Sequence, residues 1–134
     1  MAFTAKRVVI VATSMADRTG LLAEVLGALR DAGVNLYAAA AWVKDGQAFL
    51  EAVPEDLAKL RQVAMRNGVS TTEKPAIYIE GDDETGALLP AVQKIAAAGV
   101  SMTGALAVAG EGKFGAVLET READYEKACA ALGI

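Results

Sequence analysis

Shifted by 66 residues, the sequence falls back onto its own landmarks in the same order. Asp17 meets Asp83, Gly20 meets Gly86, Leu22 meets Leu88, Ala32-Gly33-Val34 meets Ala98-Gly99-Val100, and Gly46 meets Gly112, while Glu51 meets Glu119 after a two-residue gap. An ordered self-match of this kind is the signature of a duplicated structural unit, so any fold for the 134 residues must hold one unit twice. The copies are expected to occupy residues 1–73 and 74–134.

Hydrophobic periodicity gives each copy the same succession of elements. Arg7 to Ala12 contains the run VVIV, β-branched throughout in a short apolar stretch, and reads as a buried strand whose counterpart is Ala76 to Glu80. Leu21, Leu22, Val25, Leu26 and Leu29 form one helical stripe closed by Gly33. Leu88, Leu89, Val92 and Ile95 repeat that stripe before Gly99, with Pro90 expected to delay the helix start.

Asn35 to Val43 and Gln47 to Val53 flank Lys44-Asp45-Gly46, and Val100 to Val108 and Lys113 to Glu119 flank Ala109 to Gly112; both pairs read as β-hairpins. The run Ala38 to Ala41 has the composition of a helix, and the strand assignment there rests on the repeat and the Asp-Gly turn. Pro54 to Met65 and Arg121 to Leu132 read as second helices, followed in the first copy by a β-capable Val69 to Glu73.

The expected fold is therefore α+β: two tandem ferredoxin-like βαββαβ units, antiparallel sheets with helices on one face, open to pairing side by side into one continuous sheet. The second copy stops just after its second helix, so its final strand is short or missing and one sheet edge is expected to stand uncovered.

Composition narrows the function classes. A hydrophobic content of 54% with 22% charged residues suits a packed core rather than disorder. The 13 basic against 17 acidic residues, with no basic run beyond Lys6-Arg7, give no cationic track for nucleic acid. No apolar stretch reaches signal-peptide or membrane-span length, and a cytoplasmic protein without membrane association is expected. Histidine is absent and Cys129 stands alone on an apolar helix face, which removes the usual general base and an internal disulfide. The acidic run Asp82-Asp83-Glu84 reads as a solvated turn, and neither a metal nor a cofactor is expected.

The pattern strand, Asp17-x-x-Gly20-Leu21-Leu22, amphipathic helix, then Ala32-Gly33-Val34-Asn35 resembles the ACT domain family of amino-acid-sensing regulatory modules. In the second copy the matching residues are Asp83, Gly86, Leu88 and Ala98-Gly99-Val100-Ser101. The resemblance implies the topology above, pairing of units into an eight-stranded sheet, and an amino-acid site where the first loop of one unit meets the Asn of its neighbour. The chain departs from the family pattern at Thr19 and Thr85, which replace a proline, and at Ser101, which replaces the asparagine.

The loop from Asp17 to Leu22 lacks the glycines and lysine of a phosphate loop. Two readings remain for it. Asp17 or Thr19 caps the following helix, or the first-turn N–H groups receive a ligand carboxylate that Gly20 lets approach, with Asp17 facing the ammonium group. Asn35 carries separate donor and acceptor atoms suited to an amino-acid backbone, or else is a turn residue at the helix exit. The candidate ligand-binding residues are Asp17, Arg18, Thr19, Gly20, Leu21, Leu22 and Asn35 with Asp83, Thr85, Gly86, Ala87, Leu88 and Ser101. Trp42 packs in the sheet or marks a partner interface. These readings point to a non-catalytic regulatory homodimer that binds a small amino acid and reports to a partner such as a metabolic enzyme. The alternative is an interaction module that assembles through its open edge.

Overall fold

The structure, a computed structural model, describes residues 3–134. Its elements run β1 (Phe3–Ala16), α1 (Leu21–Asp31), β2 (Leu36–Lys44), β3 (Gln47–Pro54), α2 (Leu57–Arg66), β4 (Thr72–Asp82), α3 (Leu89–Ala97), β5 (Met102–Gly110), β6 (Lys113–Thr120), a 3-10 turn (Glu122–Asp124) and α4 (Tyr125–Ala131). Among the described residues no helix is long and apolar enough to cross a membrane.

The chain divides into two compact units, Val9–Lys74 and a second made of Pro75–Ile134 together with the residues up to Val8. In the first unit the strands lie in the order β2, β3, β1, β4, and in the second β5, β6, β4, β1, which is the split βαβ arrangement twice. The uncovered edge expected in the second copy does not exist. The neighbours of β4 are β6 and β1, so the first half of β1 stands where the copy's own fourth strand would be. Phe3 and Ala5 pack against that unit's core. Arg7 pairs with Glu126 of α4 at 2.7 Å and donates to the Ile134 carbonyl at 3.2 Å.

The strands expected at Val69 to Glu73 and Ala76 to Glu80 are a single strand, β4, that runs through Pro75 and passes there from one unit to the other. Likewise β1 is longer than the apolar run Val8–Val11 that announced it, because its polar flanks complete ladders. The helix expected from Pro54 begins at Leu57. Pro54 ends β3, and Asp56 is the cap, accepting from the Lys59 N–H at 3.2 Å. The last helix opens with a 3-10 turn and becomes α-helical at Tyr125.

The duplication reaches the hydrogen-bond register. Ala39 pairs with Ala52 and Ala105 with Leu118, and both ladders slip at the same place, between Leu36 and Ala38 and between Met102 and Gly104. The alanine run is strand, held by that ladder against its helical propensity. Both hairpins turn on two residues of positive φ, Asp45-Gly46 at 52° and 77° and Glu111-Gly112 at 53° and 78°, the type I′ geometry that matches strand twist.

In each unit both helices cover the same sheet face. Val11 of β1 meets Leu29 of α1 and Leu60 and Val63 of α2. In the second unit Ile77, Ile79, Phe114, Ala116 and Leu118 meet Ile95 of α3 and Ala128 and Cys129 of α4. Tyr125 closes this core, its hydroxyl donating to the Ala76 carbonyl at 2.9 Å. Burial pushes its phenol pKa upward, with the Cys129 neighbour adding to the shift. Cys129 is fully buried and serves as core.

Candidate ligand site at the first strand-to-helix loop

After β1 the backbone must turn sharply to start α1, and two contacts set that turn. The Asp17 N–H donates to the Gly46 carbonyl of the β2–β3 hairpin at 2.9 Å, tying the loop to the hairpin tip. Gly20 then takes the left-handed conformation, φ 83° and ψ 2°, as the residue that caps α1. The equivalent tie recurs in the second copy, from the Asp83 N–H to the Gly112 carbonyl at 2.8 Å.

No side chain caps α1, so the capping reading of Asp17 and Thr19 does not hold in this structure. The Leu21 N–H reaches back to the Arg18 carbonyl at 3.2 Å and the Glu24 N–H to the Gly20 carbonyl at 3.0 Å. The start of α1 keeps its positive end turned to an open loop. Arg18 folds over that first turn and pairs with Glu24 at 2.5 Å.

The loop borders a depression of about 320 Å³ lined by Asp17, Arg18, Gly20, Leu21, Leu22 and Ala23, and on the far side by Ala41, Trp42 and Val43 of β2 with Ala48 and Leu50 of β3. Three large apolar side chains on its rim are exposed: Leu22 at 46%, Trp42 at 47% and Val43 at 56%. Trp42 stacks on Phe49, centroids 5.8 Å apart and planes 13° apart, which fixes the indole while leaving it accessible. The strand residues of this lining are the part that sequence reasoning did not reach. Their signal was the Asp45-Gly46 turn, which folds the end of β2 back beside the loop.

Asn35 lies at the other end of α1, about 16 Å away along 11 residues of helix. It is exposed and donates through Nδ2 to Glu55 Oε2 at 3.0 Å, while its carbonyl accepts from the Glu55 N–H at 2.9 Å. Within its own copy it therefore does not join the loop. The helix exit is closed by backbone bonds alone, from the Gly33 N–H to the Arg30 carbonyl and from the Val34 N–H to the Leu29 carbonyl.

The second loop is built differently. α3 starts at Leu89, two residues later than α1 would place it by the 66-residue repeat, its cap Leu88 is in the right-handed region, and Pro90 stands in its first turn without an N–H. Thr85, Gly86, Ala87 and Leu88 form a turn instead, with the Ala87 N–H on the Glu84 carbonyl and the Leu89 N–H on the Gly86 carbonyl, each at 3.0 Å. Asp82 just before it is held by Lys113, which keeps its carboxyl below the usual range. Ser101, the counterpart of Asn35, is exposed.

No protein-family model and no curated protein sequence matches the chain. Among solved structures, a protein of Bacteroides thetaiotaomicron is similar over 96% of this chain and 88% of its own, with 19% identity and a TM-score of 0.83. The regulatory subunit of aspartate kinase from Thermus thermophilus is similar over 99% of this chain and 95% of its own, with 16% identity and a TM-score of 0.63. That from Thermus flavus covers the same shares with 18% identity and a TM-score of 0.56. At these identities the likeness is one of fold. With the duplicated register, the strand orders and the two strand-to-helix loops, it gives this chain the tandem ACT-domain fold.

Proposed function

We propose that the chain is a non-catalytic regulatory protein that binds a small amino acid at the Asp17–Leu22 loop, where that loop meets a neighbouring ACT-type unit. The observation that carries this reading is the start of α1: an uncapped helix end beside a left-handed glycine, opening on a depression with a charged side and an apolar side. A ligand carboxylate suits the helix end, its ammonium group suits Asp17, and a small side chain suits the rim of Leu22 and Val43. Asn35, exchanging its Glu55 partner for the ligand, or Ser101 in the second copy, completes such a site from the neighbouring unit. The second loop, with Pro90 in the first turn and a right-handed cap, is the weaker site. Regulation follows if the ligand favours one assembly, in a cytoplasmic homodimer or with a partner such as a metabolic enzyme. The similarity to regulatory subunits of aspartate kinase supports a regulatory role without catalysis.

The test is the thermal unfolding midpoint against each of the twenty L-amino acids at about 10 mM. A ligand with a dissociation constant a hundred times lower stabilises by about 2.7 kcal/mol, a shift of several degrees. One selective shift that is lost in Asp17→Ala and kept in Asp83→Ala is the expected result. The exposed apolar rim also favours a second reading, an interaction surface without a ligand. Twenty null shifts, with a change of oligomeric state in Trp42→Ser, select that reading.

A further inference from the structure

The first unit holds a largely apolar cavity. It lies between the helix layer and the sheet of Val9–Lys74, has a volume of about 230 Å³, and is walled by Val25 and Leu29 of α1, Leu60 and Val63 of α2, and Val11 and Ala52 of the sheet. The core cluster around it is 5–8% exposed. Its counterpart in the second unit has Ile77, Ile79, Ile95, Leu118, Ala128 and Cys129 at 0%.

On the sheet side the repeat accounts for part of the difference. On the helix-facing side of the sheet, Val11, Thr13, Ala48 and Ala52 occupy the places where the second copy has Ile77, Ile79, Phe114 and Leu118. Leu50 against Ala116 and Met15 against Gly81 run the other way, as do Leu21 against Ala87 and Val25 against Ala91 on the helix side. At Val11, Thr13, Ala48 and Ala52 the first unit carries smaller side chains than the second.

The polar side chains at the cavity's edge are already engaged. Arg18 pairs with Glu24 at 2.5 Å, Glu51 with Lys74 at 3.1 Å, Thr13 donates to the Ser70 carbonyl at 2.8 Å and Asn67 to the Val63 carbonyl at 2.8 Å. Among the described residues no buried side-chain polar atom lacks a partner. Such a lining repels charge and rewards apolar surface. An apolar cavity of about 150 Å³ lined by similar residues is known to take up benzene, so the space here suits a ring with a few added carbons.

We propose that this cavity is a binding site for a small uncharged apolar molecule, an aromatic ring or branched hydrocarbon with at most one hydrogen-bonding group. It enters past the exposed Leu22 and Leu26 of α1; Arg18, Leu21, Leu22 and Leu50 also border the amino-acid depression, but this ligand sits between the helices and the sheet whereas the amino acid sits before the start of α1.

The experiment is a methyl NMR titration of the full chain with benzene, and with benzoate as the charged counterpart. Saturable shifts are expected at Leu29, Leu60 and Val63, with Ile77 and Ile95 unmoved, and benzoate at least tenfold weaker. Ala52→Leu, which installs the second copy's side chain, is expected to raise the unfolding midpoint and weaken benzene at least tenfold. Thr13→Ile gives the same comparison should Ala52→Leu fail to fold. The proposal is overturned by absent or non-saturating shifts, by equal shifts at Ile77 and Ile95, by benzoate binding as tightly as benzene, or by undiminished binding in the filled variants.

Discussion

Gly20 has open space where a Cβ would stand, so the only obstacle to a side chain there is its backbone angle of 83°. Gly20→Ala is therefore expected to cost about 1–2 kcal/mol in urea unfolding, the price of the left-handed region for an L-residue. A loss well above 3 kcal/mol, or none at all, contradicts this account of the loop. The same residue shows what the sequence made legible at the site. Asp17, Gly20 and Leu22 stood out because the repeat preserves them and a strand has to become a helix there. Trp42, Val43 and Ala48 on the far wall had no such mark, since their nearness depends on hairpin register, which a linear pattern does not carry. Asn35 carried a family expectation that concerns the loop of a neighbouring unit, and within its own copy α1 holds it a helix length from the loop.

At the scale of elements, the strands and helices followed from periodicity wherever the local pattern and the final packing agreed. They departed where a residue's partner is remote. Nothing in Phe3 to Lys6 announces a strand, yet these residues complete a sheet whose other members begin at Pro75. Their anchor is Arg7, which bonds Glu126 and the Ile134 carbonyl and lies 5.7 Å above the Tyr125 ring. The Arg7 guanidinium holds the Glu126 carboxyl below its ordinary value of 4.5. A carboxyl whose folded pKa is depressed adds stability above its unfolded value, and that contribution is lost as pH falls through the folded value. Hydrogen-exchange protection in the first half of β1 is thus expected to weaken as pH falls below about 4.5, in part by loss of this pair, and Glu126→Gln is expected to show a smaller acid dependence there. Deleting residues 2–7 is expected to expose the β4 edge and lower protection in β4 and β6 far more than in β2 and β3. Equal losses in both units, or none in β6, contradict the assignment of that segment as the fourth strand.

Across the whole molecule, the duplication does not give two self-contained beads. β1 changes unit between Val8 and Val9, and β4 between Lys74 and Pro75, so each of two strands is shared. The β1–β3 and β4–β6 ladders each lie within one unit, Val11–Ala16 on Gln47–Ala52 and Ile77–Asp82 on Lys113–Leu118, so what joins the units is the continuous backbone of β1 and β4. This holds although the cores differ, the second having several side chains fully buried and the first none within its main cluster. A looser core alone would let the first unit melt early; the two continuous strands oppose that if fraying in one half of a strand spreads to the other half. The expected result in scanning calorimetry is one transition, with the calorimetric enthalpy equal to the van't Hoff enthalpy and near 90 kcal/mol, as follows from roughly 0.7 kcal/mol per residue over the chain. Two units melting independently would give a calorimetric enthalpy close to twice the van't Hoff value. That ratio decides whether the strand exchange between copies couples them energetically, which is what a regulatory protein needs if a ligand on one copy is to be felt by the other.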